Sequence, residues 1–356
     1  MSHRLLLCGT LAFATTTDVP TAADTIHVPA DHLTIQAAVD AANDGDTIEV
    51  APGVYNECIN FGIKNLMLIG TAGPSETFID GDGLDCSLIH IKGGQTHDSL
   101  VRGFTIQNAD GGTPMEHDPT IVVGGGLRIR ESSPVIEDCH FINNRSGYGG
   151  GAHVLSSDSP IRDCVFQNNF ASGDCGGLLI FWGSNVVENC LFENNYGNLN
   201  AGGLKVLLST TTVLNCTITN NSTQHFGGGL VWFSTEDDQP LQVIGCTITN
   251  NTADNAGGIH VQPDVAPVEL TGSIVCDNGP DQIEGPWIDA GGNTICICIC
   301  DLDGDDVVDV SDLLIILSQW GDQGGFGDIN GDGTVNVNDL LEAIDNFGPC
   351  EWDYPG

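Results

Sequence analysis

Basic residues are scarce in this 356-residue chain: nine Lys and Arg stand against 48 Asp and Glu, a formal charge of −39. A surface so acidic repels phosphate backbones and anionic headgroups, which excludes nucleic acid and anionic lipid as partners. Long apolar runs are missing too. No stretch is long and apolar enough to span a bilayer, so no membrane insertion is expected. Aromatic residues make up only 6 % of the chain. Against these shortages stand 47 glycines and frequent Asn and Asp, a turn-rich composition that points to an all-β protein.

The N-terminus opens with Met1, Ser2, His3 and Arg4, followed by a short apolar run from Leu5 to Ala14. A basic start, an apolar stretch and small residues are the order of a secretory signal, with cleavage expected after Ala14 or Ala23. Residues 1–23 are therefore read as a signal peptide, and the mature protein as exported, extracellular or at the cell surface.

Internal periodicity decides the fold of residues 24–299. Gly-Gly pairs begin at Gly125, Gly150, Gly176, Gly202, Gly228 and Gly257, at spacings of 25, 26, 26, 26 and 29. In phase with them run Cys139, Cys164, Cys190, Cys216 and Cys246, each followed five residues on by the second Asn of an Asn-Asn pair. A period near 26 with short β-type runs and no helix-length segment is one coil of a right-handed parallel β-helix. Coils stack about 4.8 Å apart, so equivalent residues form ladders. Asn108, Asn143, Asn168, Asn194, Asn220 and Asn250 are expected to form an amide ladder that satisfies buried turn backbone. The Cys column is expected to be inert core packing, because stacked thiols are poorly placed for disulfides. Cys58 with Cys86 and Cys300 with Cys350 are the candidate bridges, while Cys296 and Cys298 stay unassigned.

Repeats of this Phe-x-x-Asn and Gly-Gly type resemble the passenger repeats of polymorphic outer-membrane proteins, although no barrel-forming segment follows. The stretch from Thr34 to Ala42, the run Thr47 to Val50, and the segment Pro52 to Glu57 resemble the opening of pectinesterases and related β-helix proteins. The likeness implies an amphipathic helix over the open edge of the first coil, as a solenoid requires. The aspartates and the Arg-Pro-Trp segment that a pectinesterase needs have no counterpart here.

Strand alternation points Leu127 and Ile129 inward and leaves Arg128 and Arg130 outward. In register with them are His90, His153, Lys205 and His260 in one column, and Lys92, Leu155, Phe181, Leu207 and Phe233 in the next. His90, Lys92, Arg128, Arg130 and His153 thus compose a basic patch expected to contact the carboxylates or sulfates of a polysaccharide. Protonation of its histidines would tighten binding in mild acid. An in-coil insertion at residues 111–120 is expected to overhang the patch, with Glu116 and His117 as candidate acid and base.

Two twelve-residue segments near the C-terminus carry oxygen ligands at loop positions 1, 3, 5, 9 and 12 and a backbone carbonyl at position 7. The first comprises Asp301, Asp303, Asp305, Val307, Asp309 and Asp312; the second comprises Asp328, Asn330, Asp332, Thr334, Asn336 and Asp339. Each runs into an apolar helix start, and the last 57 residues contain no Lys, Arg or His. Loop followed by helix, twice, closed by Asp, resembles a type I dockerin. The resemblance implies two Ca²⁺ ions, calcium-linked folding of residues 300–350, and a cohesin-like partner or an intramolecular dock. Asp306 stands where the second loop has Gly333, at the sharp turn. Residues 351–356 remain as a tail.

The sequence thus gives a right-handed parallel β-helix with an N-terminal capping helix, followed by a small α-helical calcium-binding domain. Three readings of function compete. One is a protein that binds polysaccharide or a cell-surface partner through an outer sheet face, another a polysaccharide lyase or glycoside hydrolase, the third a purely structural solenoid. Fold does not choose among them.

Overall fold

Each coil is bent by residues in left-handed backbone conformation, which Asn, Asp and Gly adopt at least cost. Asp138, Asp163, Asn189 and Asn215 turn the chain just before the Cys column, at φ from 47° to 54°. Asn143, Asn168, Asn194, Asn220, Asn250 and Asp277 make the next corner. The structure, a computed structural model, describes residues 23–115, 120–235, 239–296, 300–303 and 307–349.

Between these corners run three parallel sheets of 11, 10 and 9 strands, together a right-handed β-helix of about 10 turns. Within one coil, Pro160–Arg162 belongs to sheet I, Val165–Gln167 to sheet II and Leu178–Gly183 to sheet III. A four-stranded ribbon that includes Phe170–Ala171 lies between sheets II and III. The Gly-Gly pairs enter sheet III where neighbouring coils approach most closely: a Cβ on Gly177 would collide with the Gly203 carbonyl.

The interior is a set of columns. Phe141, Phe166 and Phe192 stack with ring centroids 4.8 and 4.9 Å apart. Cys139, Cys164, Cys190, Cys216 and Cys246 are buried and unbridged, each thiol donating to backbone carbonyls, as expected of inert packing. Burial pushes the Cys139 thiol up to about 12 and Cys190 well above its ordinary value, which makes these thiols poor nucleophiles.

The amide ladder exists, one residue from where the sequence placed it. Its rungs are Asn144, Asn169, Asn195, Asn221, Asn251 and Asn278, all buried. The expected Asn143, Asn168, Asn194, Asn220 and Asn250 make the exposed left-handed corners instead. Asn108 makes another such corner and donates from its amide to Asp80. Asn195 illustrates a rung. Its Oδ1 accepts from the backbone N–H and the amide of Asn169, while its Nδ2 donates to Asn221 Oδ1 and to the Phe166 carbonyl.

Helix α1 (Ile35–Ala41) packs against the first strands of the solenoid and buries Ile35, Ala38 and Val39, the expected cap. Thr34 caps its start, and the Glu57 carboxylate accepts the N–H groups of Ile35 and Gln36, which complement an acid. Cys58 and Cys86 are bridged as anticipated, and a second bridge joins Cys276 to Cys296 in the last coil. Cys350 and Cys298 lie outside the described residues. Among the described residues no helix is long and apolar enough to cross a membrane.

At the C-terminus, α2 (Val310–Ser318) packs on α3 (Val337–Asp345) around a core of Cys300, Val308, Ile316, Val335 and Ala343. Val307–Val308 pairs antiparallel with Gly348–Pro349, bringing the two ends of this unit together.

The ladder and the corner make opposite demands on adjacent asparagines. Asn195→Ala removes the side-chain acceptor of the buried Asn169 N–H and amide and the amide donor to the Phe166 carbonyl and Asn221 Oδ1, and is expected to cost about 3 kcal/mol or more. Asn194→Gly keeps the left-handed corner and is expected to stay within about 0.5 kcal/mol of wild type. Denaturant titration of both variants checks the pair; equal losses would place the ladder elsewhere.

Candidate functional site

The register of sheet III is the expected one: His90, Arg128 and His153 are direct neighbours on successive strands, as are Lys92, Arg130 and Leu155. Their exposure is not. Arg128, His153 and Lys205 retain only 3, 5 and 3 % of their surface. The residues leading into each Gly-Gly pair turn back over the outer face of the sheet. Cys175 and Ala201 pack there on Leu179 and Val231, ringed by Tyr148, Leu207 and Phe233. Small residues at these left-handed positions let the backbone lie close on the strands. This second layer was invisible to strand alternation, which sorts inward from outward but does not show what covers the outward side.

Within it Arg128, Lys205 and His260 are held by other parts of the protein. Arg128 Nη1 donates to the carbonyls of Thr113 and Pro114 at 3.1 Å, so the insertion does overhang this column. Lys205 Nζ meets Asp174 Oδ2 at 2.6 Å and lies 4.9 Å from the Phe233 ring. His260 Nδ1 lies 2.8 Å from Glu284 Oε2. Buried charges survive only when paired in this way. Arg128 therefore holds the backbone of the overlying loop, and Arg128 and His153 are both buried beneath the outer layer. Glu116 and His117 lie outside the described residues.

His90 Nε2 and His153 Nδ1 are buried without a hydrogen-bond partner among the described residues. Burial, then the Arg128, Lys92 and Arg130 cations, pushes His90 down to about 4. Burial and Arg128 push His153 down to about 3. Neither ring charges in mild acid, so tighter glycan binding at pH 5 to 6 cannot come from them.

What remains open is Lys92, exposed, and Arg130, half-buried and 3.0 Å from Glu131 Oε1. Just beyond them, at the corner from sheet III to sheet I, lies an open cleft of about 470 Å³. His97, Glu131, Ser156 and Asp158 line it. Its walls are fixed by hydrogen bonds: Ser132 Oγ accepts from Gly93 and Gly94, Asp158 N–H donates to Ser133 Oγ, and His97 Nε2 lies 2.9 Å from the Asp158 carbonyl.

In the C-terminal unit each helix begins on a capping box whose last member closes the loop. Asp309 caps α2 with Asp312, and Asn336 caps α3 with Asp339. Asp312 and Asp339 are wholly buried. Asp312 accepts from the N–H groups of Leu302, Asp303 and Asp309, and Asp339 from those of Asn330 and Asn336. Burial raises Asp339, but these backbone donors outweigh it and hold its carboxyl below the ordinary range. Carboxylate oxygens of Asp301, Asp303 and Asp312 lie within 4.8 Å of one another. In the second loop Asp328 Oδ1 is buried without a hydrogen-bond partner among the described residues, while Asp332 and Asn336 bond within the loop. Gly333 adopts φ 91°, the expected sharp turn; Asp305 and Asp306 lie outside the described residues.

Residues 74–192 match a family model described as right handed beta helix region. No curated protein matches the chain. Among solved structures, a pectin methylesterase mutant in complex with a hexasaccharide is 12 % identical over 75 % of this chain and 82 % of that one, at a TM-score of 0.38. A second pectin methylesterase–hexasaccharide complex is 13 % identical over 78 and 94 %, at 0.33. The A-module of an Azotobacter vinelandii mannuronan C-5 epimerase is 15 % identical over 74 and 92 %, at 0.22. At these scores the chemistry of the site has to be read from this chain's own residues.

His153, buried with no partner for Nδ1 among the described residues, gives a pH test. Its unfolded form takes up a proton near the ordinary histidine value, while the folded form resists until about 3. The unfolded state therefore binds more protons below about pH 6.5, and stability falls as pH falls through that window. His153→Leu, which copies Leu179 one coil on, should remove this component. The variant's advantage over wild type is expected to grow by on the order of 2 kcal/mol between pH 7 and pH 4.5. A constant difference across that range would mean that the ring is solvated.

Proposed function

We propose that this chain is an exported β-helical binding protein whose solenoid contacts polysaccharide and whose C-terminal unit is a calcium-dependent, dockerin-like tether. The observation that carries the tether is a duplicated apolar stripe. Val310, Leu314, Leu317 and Trp320 are exposed on and just after α2, and Val337, Leu341, Ile344 and Phe347 repeat them 27 residues later, equally exposed. Residues at i, i+4 and i+7 share one helix face. A helix presenting such anchors to solvent is built to meet a protein groove. The surrounding surface has no basic residue of its own, which favours a partner with a basic rim. A dedicated cohesin-like receptor fits, as does a dock elsewhere on the same chain.

The acidic loops fit Ca²⁺. Asp301, Asp303 and Asp312, with Asp309 and the Val307 carbonyl, would hold one ion. Asp328, Asn330, Asp332, Asn336 and Asp339, with the Thr334 carbonyl, would hold the other. The unsatisfied Asp328 Oδ1 is the kind of atom that a hard cation completes. Calcium would offset the mutual repulsion of the carboxylates and fix the loops from which α2 and α3 start. The polysaccharide reading is supported by the rigid, open corner beside Lys92 and Arg130.

Hydrogen exchange on the full chain tests calcium. Protection across residues 307–349 should rise with Ca²⁺ and fall with chelator, while the solenoid is unchanged; Asp328→Ala should remove the effect from α3. Indifference to calcium throughout would falsify the tether. For the partner, Leu314→Asp with Leu341→Asp should weaken capture of the receptor by about 2 kcal/mol or more, the scale of a lost anchor. Either change alone should cost less if the two stripes are interchangeable.

A further inference from the structure

The corner between sheets III and I carries a second feature that the basic-patch reading left unused. The strand Leu178–Gly183 is longer than its neighbour Ala152–Leu155 and carries Trp182, 48 % exposed, next to its end. Trp182 sits at φ 58°, the left-handed corner that Glu131, Ser156 and Leu208 make in the neighbouring coils, which turns its side chain out beside theirs. Its indole stacks on Phe181 with centroids 4.2 Å apart, so one face is fixed and the side chain is held outward.

Its position relative to the cleft is set by register. Leu155 pairs with Phe181, and the next residue, Ser156, donates its N–H to the Phe181 carbonyl. Trp182 thus stands one rung from Ser156, a cleft residue. Two residues further on, Ser184 N–H donates to Asp158 Oδ1 at 2.7 Å, tying the same strand end to the cleft wall. A Cβ on Gly183 would strike the Ser157 carbonyl, so the chain between these two anchors must pass close to the wall.

We infer that this cleft and Trp182 form a binding site for a neutral polysaccharide, with a pyranose ring lying on the indole and its hydroxyls bonding to the carboxylates of Glu131 and Asp158 and to Ser156. A sugar ring has an apolar C–H face and a polar rim; a held aromatic plane beside hydrogen-bond acceptors complements both. The cleft volume of about 470 Å³ lies in the range of pre-formed small-ligand sites. Charge selects among glycans. Glu131 gives one oxygen to Arg130 and Asp158 one to the Ser184 N–H; their second oxygens suit uncharged hydroxyls, and the chain's net charge of −39 opposes a uronate. The inference rests on the reading of the solenoid as a glycan-binding module, not on the tether.

Calorimetric titration of the full chain in calcium buffer with cellohexaose, xylohexaose, mannohexaose and hexagalacturonate tests it. At least one neutral hexasaccharide should bind. Trp182→Ala should weaken that binding at least tenfold, Trp182→Phe no more than threefold, and Leu33→Ala, at an exposed apolar residue near the N-terminal cap, not at all. Unchanged affinity in Trp182→Ala overturns the assignment. Preference for hexagalacturonate also overturns it, moving the glycan to Lys92 and Arg130 while leaving the glycan-binding module intact. Binding of none of the four by folded wild type removes both the site and the polysaccharide reading, and leaves the tether to its own calcium and capture tests.

Discussion

The buried amide ladder is the constraint from which the other columns follow. Each rung from Asn144 to Asn251 lends one oxygen to the coil before it and takes one from the coil after it, and the last, Asn278, takes its oxygen from Gln282. A slip of one residue would put a left-handed corner into the wall and strand several polar groups away from water, a penalty incurred again at every coil. With register fixed at that edge, the phenylalanine stack, the thiol column and the Gly-Gly approaches fall into line. So does the His90–Arg128–His153 alignment on sheet III.

Register alone does not decide what a face can do. On sheet III the chain doubles back, and residues that would be a ligand-binding strip on a single-layered solenoid become a sealed interface. The few cations of an acidic protein are largely used internally: Lys205 answers Asp174, and Arg128 holds the backbone of the insertion. The two recognition surfaces proposed above lie where the layers part, at the corner where sheet III hands over to sheet I, and on the helices of the C-terminal unit.

The period of the repeats, the parallel sheets, the capping helix, the Cys58–Cys86 bridge and the inert thiols were all legible, because each rests on spacing or residue size. The amide ladder was displaced by one because either member of an Asn-Asn pair accepts a left-handed corner, and only burial separates them. A signal was present at Asp277 and Asn278, where a carboxylate cannot donate to the next rung and the second residue must be the rung. At Asn108 and Ala109 the sequence misleads, since the rung position holds an alanine whose N–H reaches Asn144. The second layer over sheet III was hinted at by Leu179 and Val231 in an outward column, apolar residues with no reason to face water. The cleft was not legible, since it is lined by corner residues distant in sequence, and Trp182 lay beyond the repeat pattern that drew attention to Phe181.

The thiol column carries an implication for how such a chain is made. Disulfide exchange proceeds through thiolates, and in the finished solenoid Cys139, Cys164, Cys190, Cys216 and Cys246 are kept protonated and out of reach. In the exported chain proposed above, the hazard belongs to the time before stacking, when the same sulfurs meet the oxidant together with those that must form Cys58–Cys86 and Cys276–Cys296. Every coil that closes withdraws one thiol from that pool. Correct pairing then becomes a race between the zipping of rungs and the oxidant, and a coil slow to dock endangers the bridges at both ends as well as its own packing.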